Sequence, residues 1–368
     1  MHLNQLNIVN YRNVEAAEVP LSTGINCFVG RNGAGKTNLL DAVYYLSFCK
    51  SMTGLPDSQN VRHEQPFFVI QGHYDLDGDP NEIYCGFKPG SKKQFKRNKK
   101  EYHRLAEHIG LLPLVIISPR DETLIAEGGE ARRKYADSVI SQCDSGYLDH
   151  LMAYGKLLSQ RNALLKQMGE TGVGTNTSLL DILDEQLCEH AMPIAQSRRH
   201  FVEWLRPVIN QYYADIAGGA EQVDIAYNTC FDRYDLLQGL HDTHTRDLAL
   251  GYTSRGIHKD DIEFSMGGYS MKRVGSQGQR KSFVIALKLA QYQYLTEQKK
   301  MRPILLLDDV FDKLDALRGD SLIELTASES FDQIFITDTD LQRLKRVLNR
   351  SAKDHKIFGV ENGQVNLQ

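Results

Sequence analysis

The 368-residue sequence is poor in cysteine and has no close cysteine pair. Six cysteines stand far apart and form no C-x-x-C pair, so neither a zinc site nor a disulfide framework is suggested. They are Cys27, Cys49, Cys85, Cys143, Cys188 and Cys230. Because free thiols persist in a reducing compartment, a cytoplasmic protein is the simplest expectation.

Long apolar runs and a large net charge are also missing. No stretch approaches the ~20 apolar residues that span a bilayer, and residues 1–6 lack the basic and apolar regions of a signal peptide. We therefore expect no membrane association. The formal net charge of -4 argues against a protein that coats nucleic acid indiscriminately, although it allows a local basic patch.

A stretch near the N-terminus fits the phosphate-binding pattern G-x-x-x-x-G-K-[ST]. This phosphate loop consists of Gly30, Arg31, Asn32, Gly33, Ala34, Gly35, Lys36 and Thr37. A loop that wraps a polyphosphate turns backbone N–H groups inward, and glycine adopts the positive φ angles that this requires. A short buried strand is predicted at residues 25–29, and a helix after the loop. We predict a bound nucleoside triphosphate, with Lys36 at its β and γ phosphates and Thr37 holding Mg²⁺.

An acidic pair, Asp308 and Asp309, follows four consecutive aliphatic residues at 304–307. Such a run predicts a parallel strand that is covered on both faces, and ligands bind at the C-terminal ends of these strands. We predict that Asp308 binds the metal or its water shell and that Asp309 orients the attacking water. The alternative is an ordinary strand end with acidic residues.

A second candidate for anion binding lies shortly before this strand. Ser276, Gly278 and Gln279 precede an amphipathic helix predicted at residues 283–298. Serine and glycine at a helix N-terminus again form an anion-binding end.

A basic hairpin is predicted around residues 88–104, where aromatic residues lie between the basic ones. The candidates for contact with the DNA backbone are Lys92, Lys93, Lys96, Arg97, Lys99 and Lys100. An exposed edge hairpin whose lysines prevent edge-to-edge strand pairing is an equally good interpretation.

The middle of the chain changes to helical spacing of apolar residues between about residues 122 and 213. Residues 169–177 separate two predicted helical arms, which form a dimer surface, a partner platform or a lid with its own small core. His258, Asp260 and Asp261 suggest either a metal site or, preferably, a structural or nucleotide-proximal loop. Residues 212–247 carry no recognisable motif.

The sequence resembles the ABC-type ATPases through four features taken together. They are the phosphate loop, Ser276 with its neighbours, the pair Asp308 and Asp309, and residues 313–315. Within that class the sequence resembles the bacterial RecF family, which is related to the SMC ATPases. The further segments that carry the resemblance are residues 10–13, 62–64, 118–121, 132–133, 256–261 and 276–281.

Two observations favour the RecF family over its relatives. SMC and transporter ATPases commonly have Glu where this chain has Asp309. The distance from Lys36 to Ser276 is 276 − 36 = 240 positions, too short for the long coiled coil of SMC chains. Ile257, Lys259 and Arg120 depart from the family pattern. Thr337 and Asp338 stand where transporters have a switch histidine, and they receive no firm role.

The resemblance implies an α/β fold with an ABC-type P-loop ATPase lobe, built of a mixed sheet and helices from residues 1–121 and 246–368. A mainly helical lobe is inserted at residues 122–245. It also implies a homodimer in which Ser276 of one copy closes over the γ-phosphate bound by the other. The expected catalytic residues are then Lys36, Asp309 and Ser276. Arg12, Ser276, Gly278 and Gln279 join the phosphate loop in binding ATP, and Thr37 and Asp308 bind Mg²⁺.

For function, the resemblance implies a weak bacterial ATPase of DNA replication and recombinational repair, including the SOS response. An ATP-driven homodimer clamps double-stranded DNA at single-strand gaps and helps load the RecA recombinase, with RecR and RecO as partners. The alternatives are an SMC-like scaffold that bridges DNA without loading anything, and a phosphate-loop kinase. Whether residues 118–121 act as the glutamine loop of these ATPases stays open.

Overall fold

The computed structural model describes residues 1–171, 178–219, 221–233, 235–311 and 316–368. The predicted motif at residues 313–315 lies outside this range. The chain divides into two compact units. The first comprises Met1–Asp121, Asp215–Gly218 and Gln277–Gln368, and the second comprises Glu122–Ala214 and Gly219–Ser276.

The N-terminal part of the first unit contains eight strands and one α-helix. They are β1 (His2–Tyr11), β2 (Val14–Pro20), β3 (Ile25–Val29), α1 (Lys36–Phe48), β4 (Phe68–Leu76), β5 (Asp79–Phe87), β6 (Gln94–Arg97), β7 (Lys100–Glu101) and β8 (Leu114–Ile117). Six of these strands form an antiparallel sheet in the order β2-β1-β4-β5-β6-β7. Phe68, Ile70 and Tyr74 alternate along β4 toward the core, where Phe68 meets Tyr45 of α1.

The second unit contains most of the helices. Its elements are α2 (Thr123–Ala126), α3 (Gly129–Cys143), α4 (Ser145–Thr171), α5 (Ser178–Ala217, whose last residues fall in the first unit), β9 (Val223–Asn228), α6 (Leu236–His241), α7 (His244–Leu250), β10 (Asp261–Met266), β11 (Tyr269–Ser270) and α8 (Met271–Val274). Helix α4 continues to Thr171, into the predicted loop, and residues 172–177 lie outside the described range. Pro193 and Pro207 lie inside α5, which continues past both because the buried side chains around them hold it in place.

The predicted strands at residues 223–227 and 262–266 both form, and they pair with each other as β9 and β10 in a three-stranded antiparallel sheet. This pairing places residues 246–276 in the second unit, whereas the prediction assigned them to the ATPase lobe. The second unit starts at Glu122, as the predicted insertion does, and extends to Ser276.

The C-terminal part of the first unit alternates helices and strands. Its elements are α9 (Gln277–Lys299), β12 (Ile304–Asp308), α10 (Ala316–Ala327), β13 (Ile334–Asp338), α11 (Leu341–Asn349), β14 (His355–Glu361) and β15 (Gln364–Leu367). A second six-stranded sheet has the order β15-β14-β3-β13-β12-β8 and is parallel except for β15. The predicted α/β class with a mixed sheet is confirmed. In the part of the chain that the structure describes, no helix combines the length and apolar character needed to cross a membrane.

The parallel register decides where the predicted site residues meet. Asp308 at the end of β12 pairs with Thr337 of β13, and Asp338 pairs with Val29 at the end of β3. Because parallel strands end at the same edge, the acidic pair and the phosphate loop come together at the C-terminal edge of this sheet.

Candidate functional site

The phosphate loop connects β3 to α1, as the sequence predicts. Gly35 has φ +113°, and a Cβ there would lie 2.7 Å from the side-chain amide of Asn13. Glycine is therefore required twice, for its conformation and for the space it leaves. The N-terminal turn of α1 begins at Lys36, so its unpaired N–H groups face the same side as the loop.

Asn13 and Gly363 support the loop from behind. The Asn13 side chain donates to the carbonyl of Ala34 (3.1 Å) and accepts from Asn38 Nδ2 (2.7 Å). The backbone N–H of Gly363 also donates to the carbonyl of Ala34 (2.9 Å). Sequence reasoning gave Asn13 no individual role and missed Gly363, because no local pattern connects the C-terminal β14–β15 turn to this loop.

Lys36 is buried, and its ammonium group lies inside the loop. Nζ donates to the carbonyls of Gly30 (2.9 Å) and Arg31 (3.2 Å). The positive charge is thus fixed at the entrance to α1, where a phosphate group is expected.

A chain of hydrogen bonds connects Thr37, Asp308 and Thr337. The Thr37 hydroxyl lies 2.9 Å from Asp308 Oδ1 and 3.1 Å from Oδ2. The Thr337 hydroxyl lies 2.9 Å from Asp308 Oδ1, and it accepts from the backbone N–H of Asp309 (2.9 Å). Thr337, which received no firm role from the sequence, therefore links the two aspartates. Asp309 itself has φ +45°, an uncommon conformation for a residue other than glycine and one that concentrates at functional sites.

These oxygen atoms fit Mg²⁺. Octahedral Mg²⁺ holds its ligands at about 2.1 Å, which puts adjacent ligands about 3 Å apart. The spacing of Thr37 Oγ1 and the Asp308 carboxylate matches that separation. Hydroxyl and carboxylate oxygens are also the hard donors that Mg²⁺ prefers.

The surroundings of Asp308 and Asp338 disfavour the charged forms of their carboxyl groups. Burial raises the pKa of Asp308, and the nearby charge of Asp309 raises it further, against the lowering effect of the two threonine hydroxyls and Lys36. Burial also raises the pKa of Asp338, which Arg343 only partly offsets from 3.4 Å. A bound cation relieves this cost because it stabilises the charged forms.

Part of the phosphate loop, together with Lys36, Thr37 and Asp309, lines a cavity of about 420 Å³ in the first unit. Its lining residues are Asn32, Gly33, Gly35, Lys36, Thr37, Asn38, Pro119, Asp309, Asp338, Thr339 and Arg343. Pro119 comes from the segment considered for the glutamine loop, in which Asp121 binds Lys288 at 2.8 Å. Sequence reasoning missed Asn38, Thr339 and Arg343, which no motif marks.

Arg12 lies beside the cavity without lining it. Its guanidinium pairs with buried Asp41 (2.8 Å) and bonds to the hydroxyls of Ser51 and Thr53. A longer hydrogen bond of 3.4 Å reaches Asn38, which does line the cavity. Its predicted contact with ATP stays a prediction.

The serine-glycine segment starts a helix, as predicted, but that helix is longer. Helix α9 begins at Gln277, directly after the exposed Ser276. A Cβ at Gly278 would lie 2.2 Å from the Arg318 guanidinium, so glycine allows Arg318 to lie against the start of α9. Within the described residues of the first unit, no residue of α9 lines the cavity.

The basic hairpin separates into two kinds of residue. Lys93 is only 16% exposed and binds Asp57 (2.9 Å) and the carbonyl of Cys49 (2.7 Å), so the expectation of an exposed hairpin is wrong for this lysine. Lys96 lies over the ring of Tyr84, and Arg97 donates to Asn81. Lys92, Lys99 and Lys100 are exposed, and they alone of the six candidates keep the exposure that a phosphate contact needs.

The loop at residues 256–261 is structural. His258 contacts Tyr154 (2.8 Å), and burial lowers its pKa to about 4. Asp260 accepts from Tyr227 and from the backbone of Cys230, while both oxygens of Asp261 accept from Arg132 at 2.8 Å. Because each side chain has its own protein partner, the three do not converge on a metal ion.

Comparison with known proteins agrees with this geometry. The family model described as "RecF/RecN/SMC N terminal domain" matches residues 2–365. The chain is 48% identical over 367 residues to the DNA replication and repair protein RecF of Bacteroides fragilis strain YCH46, covering 100% of this chain and 98% of the relative. The RecF of Flavobacterium johnsoniae is 45% identical over 360 residues, covering 98% of this chain and 100% of the relative.

Solved structures are similar as well. A structure of the recombination mediator protein RecF with ATPrS, in the RecFOR pathway, matches with a TM-score of 0.88 at 30% identity, over 100% of this chain and 98% of that one. An Smc head bound to the C-winged helix domain of ScpA matches with a TM-score of 0.60 at 15% identity, over 100% of this chain and 97% of that one, and this likeness concerns the fold alone.

Proposed function

This chain belongs to the RecF family within the RecF/RecN/SMC group, and on that premise we propose that it is an ATP-binding protein of bacterial DNA replication and repair. Related RecF chains have been solved with ATP and with ATPrS. The phosphate loop and the oxygen ligands of this chain support the same ligand, ATP with Mg²⁺.

The observation that carries the proposal is a nucleotide site that is half built within one chain. Lys36, Thr37, Asp308 and Asp309 converge, but α9 contributes nothing to the cavity lining described above. We propose that Ser276, Gly278 and Gln279 at the start of α9 contact a nucleotide held by another copy. In this arrangement ATP joins two copies into a homodimer with two composite sites.

Each residue has a defined part in a slow ATPase. The phosphate loop and Lys36 bind and orient the triphosphate, and Ser276 and the α9 N-terminus of the second copy close over the γ-phosphate. Bound at Thr37 and Asp308, Mg²⁺ supplies charge neutralisation of the phosphate oxygens. Asp309 orients the attacking water. Arg12 is proposed to approach the nucleotide next to Asn38.

The dimer is proposed to clamp double-stranded DNA at single-strand gaps and to help load the RecA recombinase, with RecR and RecO as partners. The RecFOR pathway of the solved relatives supports this assignment. Exposed Lys92, Lys99 and Lys100 are the candidates for phosphate contacts of the DNA. Hydrolysis ends the clamped state and so acts as a timer.

Light scattering of the full chain with ATP and with ADP tests the dimer. We expect wild type to dimerise with ATP only, Lys36→Ala to stay monomeric, and Ser276→Ala to dimerise weakly while still binding ATP. A wild-type monomer under both conditions would contradict the clamp.

Two alternatives need separate experiments. A DNA-bridging scaffold also dimerises, so the loading role is tested by the rate of recombinase assembly on gapped DNA coated with single-strand-binding protein. An unchanged rate favours the scaffold. A phosphate-loop kinase would transfer label from ATP to an acceptor, whereas the proposed ATPase releases only free phosphate.

A further inference from the structure

A group of metal-ligating side chains lies in the second unit. Asp181, His241 and His244 each offer a ligand atom, and these atoms lie within 4.8 Å of one another. Asp181 comes from the first turn of α5, while the two histidines flank the turn between α6 and α7. These elements belong to the stretch in which the sequence shows no recognisable motif and to the helix before it.

The hydrogen bonding of His244 prepares it to bind a metal. Its Nε2 lies 2.7 Å from Oδ2 of Asp184, a fully buried carboxylate that also pairs with Arg161. A carboxylate can only accept, so Nε2 carries the hydrogen, and the tautomer of His244 that binds a metal has its lone pair on Nδ1. Histidine ligands typically donate their other ring N–H to a carboxylate in this way, which fixes the ring.

The other two side chains are partly exposed. His241 Nε2 and Asp181 Oδ1 lie 3.7 Å apart, with 39% and 43% of their side chains exposed. Ligands of a tetrahedral Zn²⁺ lie roughly 3.4 Å apart, which is close to the separation of these two atoms. Solvent exposure also provides the path by which a metal enters.

We propose that Asp181, His241 and His244 bind a Zn²⁺-type transition metal ion, with a water molecule as the fourth ligand. Two imidazoles and one carboxylate match the N and O donors of Zn²⁺, whereas Mg²⁺ and Ca²⁺ favour all-oxygen sites. The ion connects α5 to the α6–α7 turn and so stabilises this corner of the second unit.

The test is metal binding by the full chain after removal of bound metal with EDTA. Zn²⁺ uptake is measured by competition with a chromophoric chelator, without nucleotide and with excess Mg²⁺ present to compete at the Asp308 site. We expect wild type to bind one Zn²⁺ more per chain than the double variant Asp181→Asn/His241→Ala. His241→Ala alone should lose affinity by about tenfold or more. Zn²⁺ should raise the melting temperature of wild type but not of the double variant.

His190→Ala is the matched control, since His190 contacts His150 on α4 (2.9 Å between Nδ1 atoms) and also lies on α5. It should bind Zn²⁺ like wild type. Co²⁺ in place of Zn²⁺ should give visible absorption without thiolate charge-transfer bands, which separates this site from binding at the cysteines. Equal Zn²⁺ uptake by wild type and the double variant, or equal loss in His190→Ala, overturns the proposal.

Discussion

The carboxylates of the nucleotide site differ from Asp261 of the second unit in how their charge is neutralised. In the nucleotide site of the first unit, burial raises the pKa values of Asp308 and Asp338. Asp308 accepts from two threonine hydroxyls, while Asp338 accepts from the backbone N–H of Asp340 and lies 3.4 Å from Arg343. In the structural loop of the second unit, burial disfavours charge on Asp261 too, but the two hydrogen bonds and the charge of Arg132 outweigh it and lower its pKa.

This difference in neutralisation helps to distinguish a carboxylate that binds a ligand from one that only stabilises the fold. A carboxylate that has its own arginine stabilises the folded protein and has no need of a ligand. One that is buried without full neutralisation costs stability, and this cost is recovered when a cation binds. Both regions looked alike in sequence, as short acidic motifs next to strands.

The largest effect is expected where neutralisation is complete. Arg161 is fully buried between Asp184 and Asp247, and it bonds to Thr253. Arg161→Met removes the guanidinium charge that neutralises both buried carboxylates, which keep His244 and Ser254 among their other partners, and should lower the free energy of unfolding by about 3–5 kcal/mol. Chemical denaturation measures this. Lys166→Met on the same helix, where Lys166 is 73% exposed, should change it by less than about 0.5 kcal/mol. Equal effects of the two variants would remove the basis for the comparison.

Asp308→Asn tests the case of a buried carboxylate whose charge is not fully neutralised. Because the raised pKa means that the charged carboxylate destabilises the fold, the variant without nucleotide should be as stable as wild type or slightly more stable. That advantage should grow as pH rises from about 4 toward neutral, where wild-type Asp308 becomes charged. The stabilisation by Mg²⁺-ATP, about 2.7 kcal/mol at a ligand concentration of 100 times Kd, should disappear. Thermal melts with and without Mg²⁺-ATP measure both, and retention of the ligand shift would contradict the assigned role.

Arg132→Met should destabilise the second unit by about 2 kcal/mol at neutral pH, because the half-buried carboxylate of Asp261 loses its arginine partner. The Asp261 pKa is lowered in the folded chain, so the stability it contributes is present above its unfolded pKa of about 3.9 and is lost as pH falls further. The difference between wild type and variant should therefore shrink below pH of about 4. A difference independent of pH would point to lost packing instead.

Substitutions in the basic hairpin are expected to have the smallest effect on the protein, a change in its DNA binding. The triple variant Lys92→Glu, Lys99→Glu and Lys100→Glu should weaken DNA binding by about tenfold or more and reduce its dependence on salt. Lys93→Gln is the control, because Lys93 is neutralised by Asp57 and should affect stability without changing the salt dependence. Fluorescence anisotropy over a salt series measures both. Unchanged affinity of the triple variant would favour protection of the sheet edge.

Much of the fold followed from local patterns. The strand at Ile25–Val29 is predicted with its bounds, because a short, mostly apolar run directly before a glycine-rich loop favours a buried strand. Helix α5 was predicted less well: Pro193 and Pro207 indicate breaks, yet packing of buried side chains around them keeps one helix. Pairing of β9 with β10 could not be predicted, since strand partners distant in sequence leave no local signal.

By itself, the sequence determined the chemistry of the nucleotide site, because glycine, lysine, threonine and aspartate at fixed spacing have intrinsic conformational and ligand preferences. Only the tertiary structure decided which charges are neutralised. The register between parallel strands places Thr337 next to Asp308. Packing lets Lys93 form an ion pair with Asp57, whereas Lys92 stays exposed. The reason is physical: the type of a residue fixes its charge, whereas its burial and its neighbours fix what that charge costs.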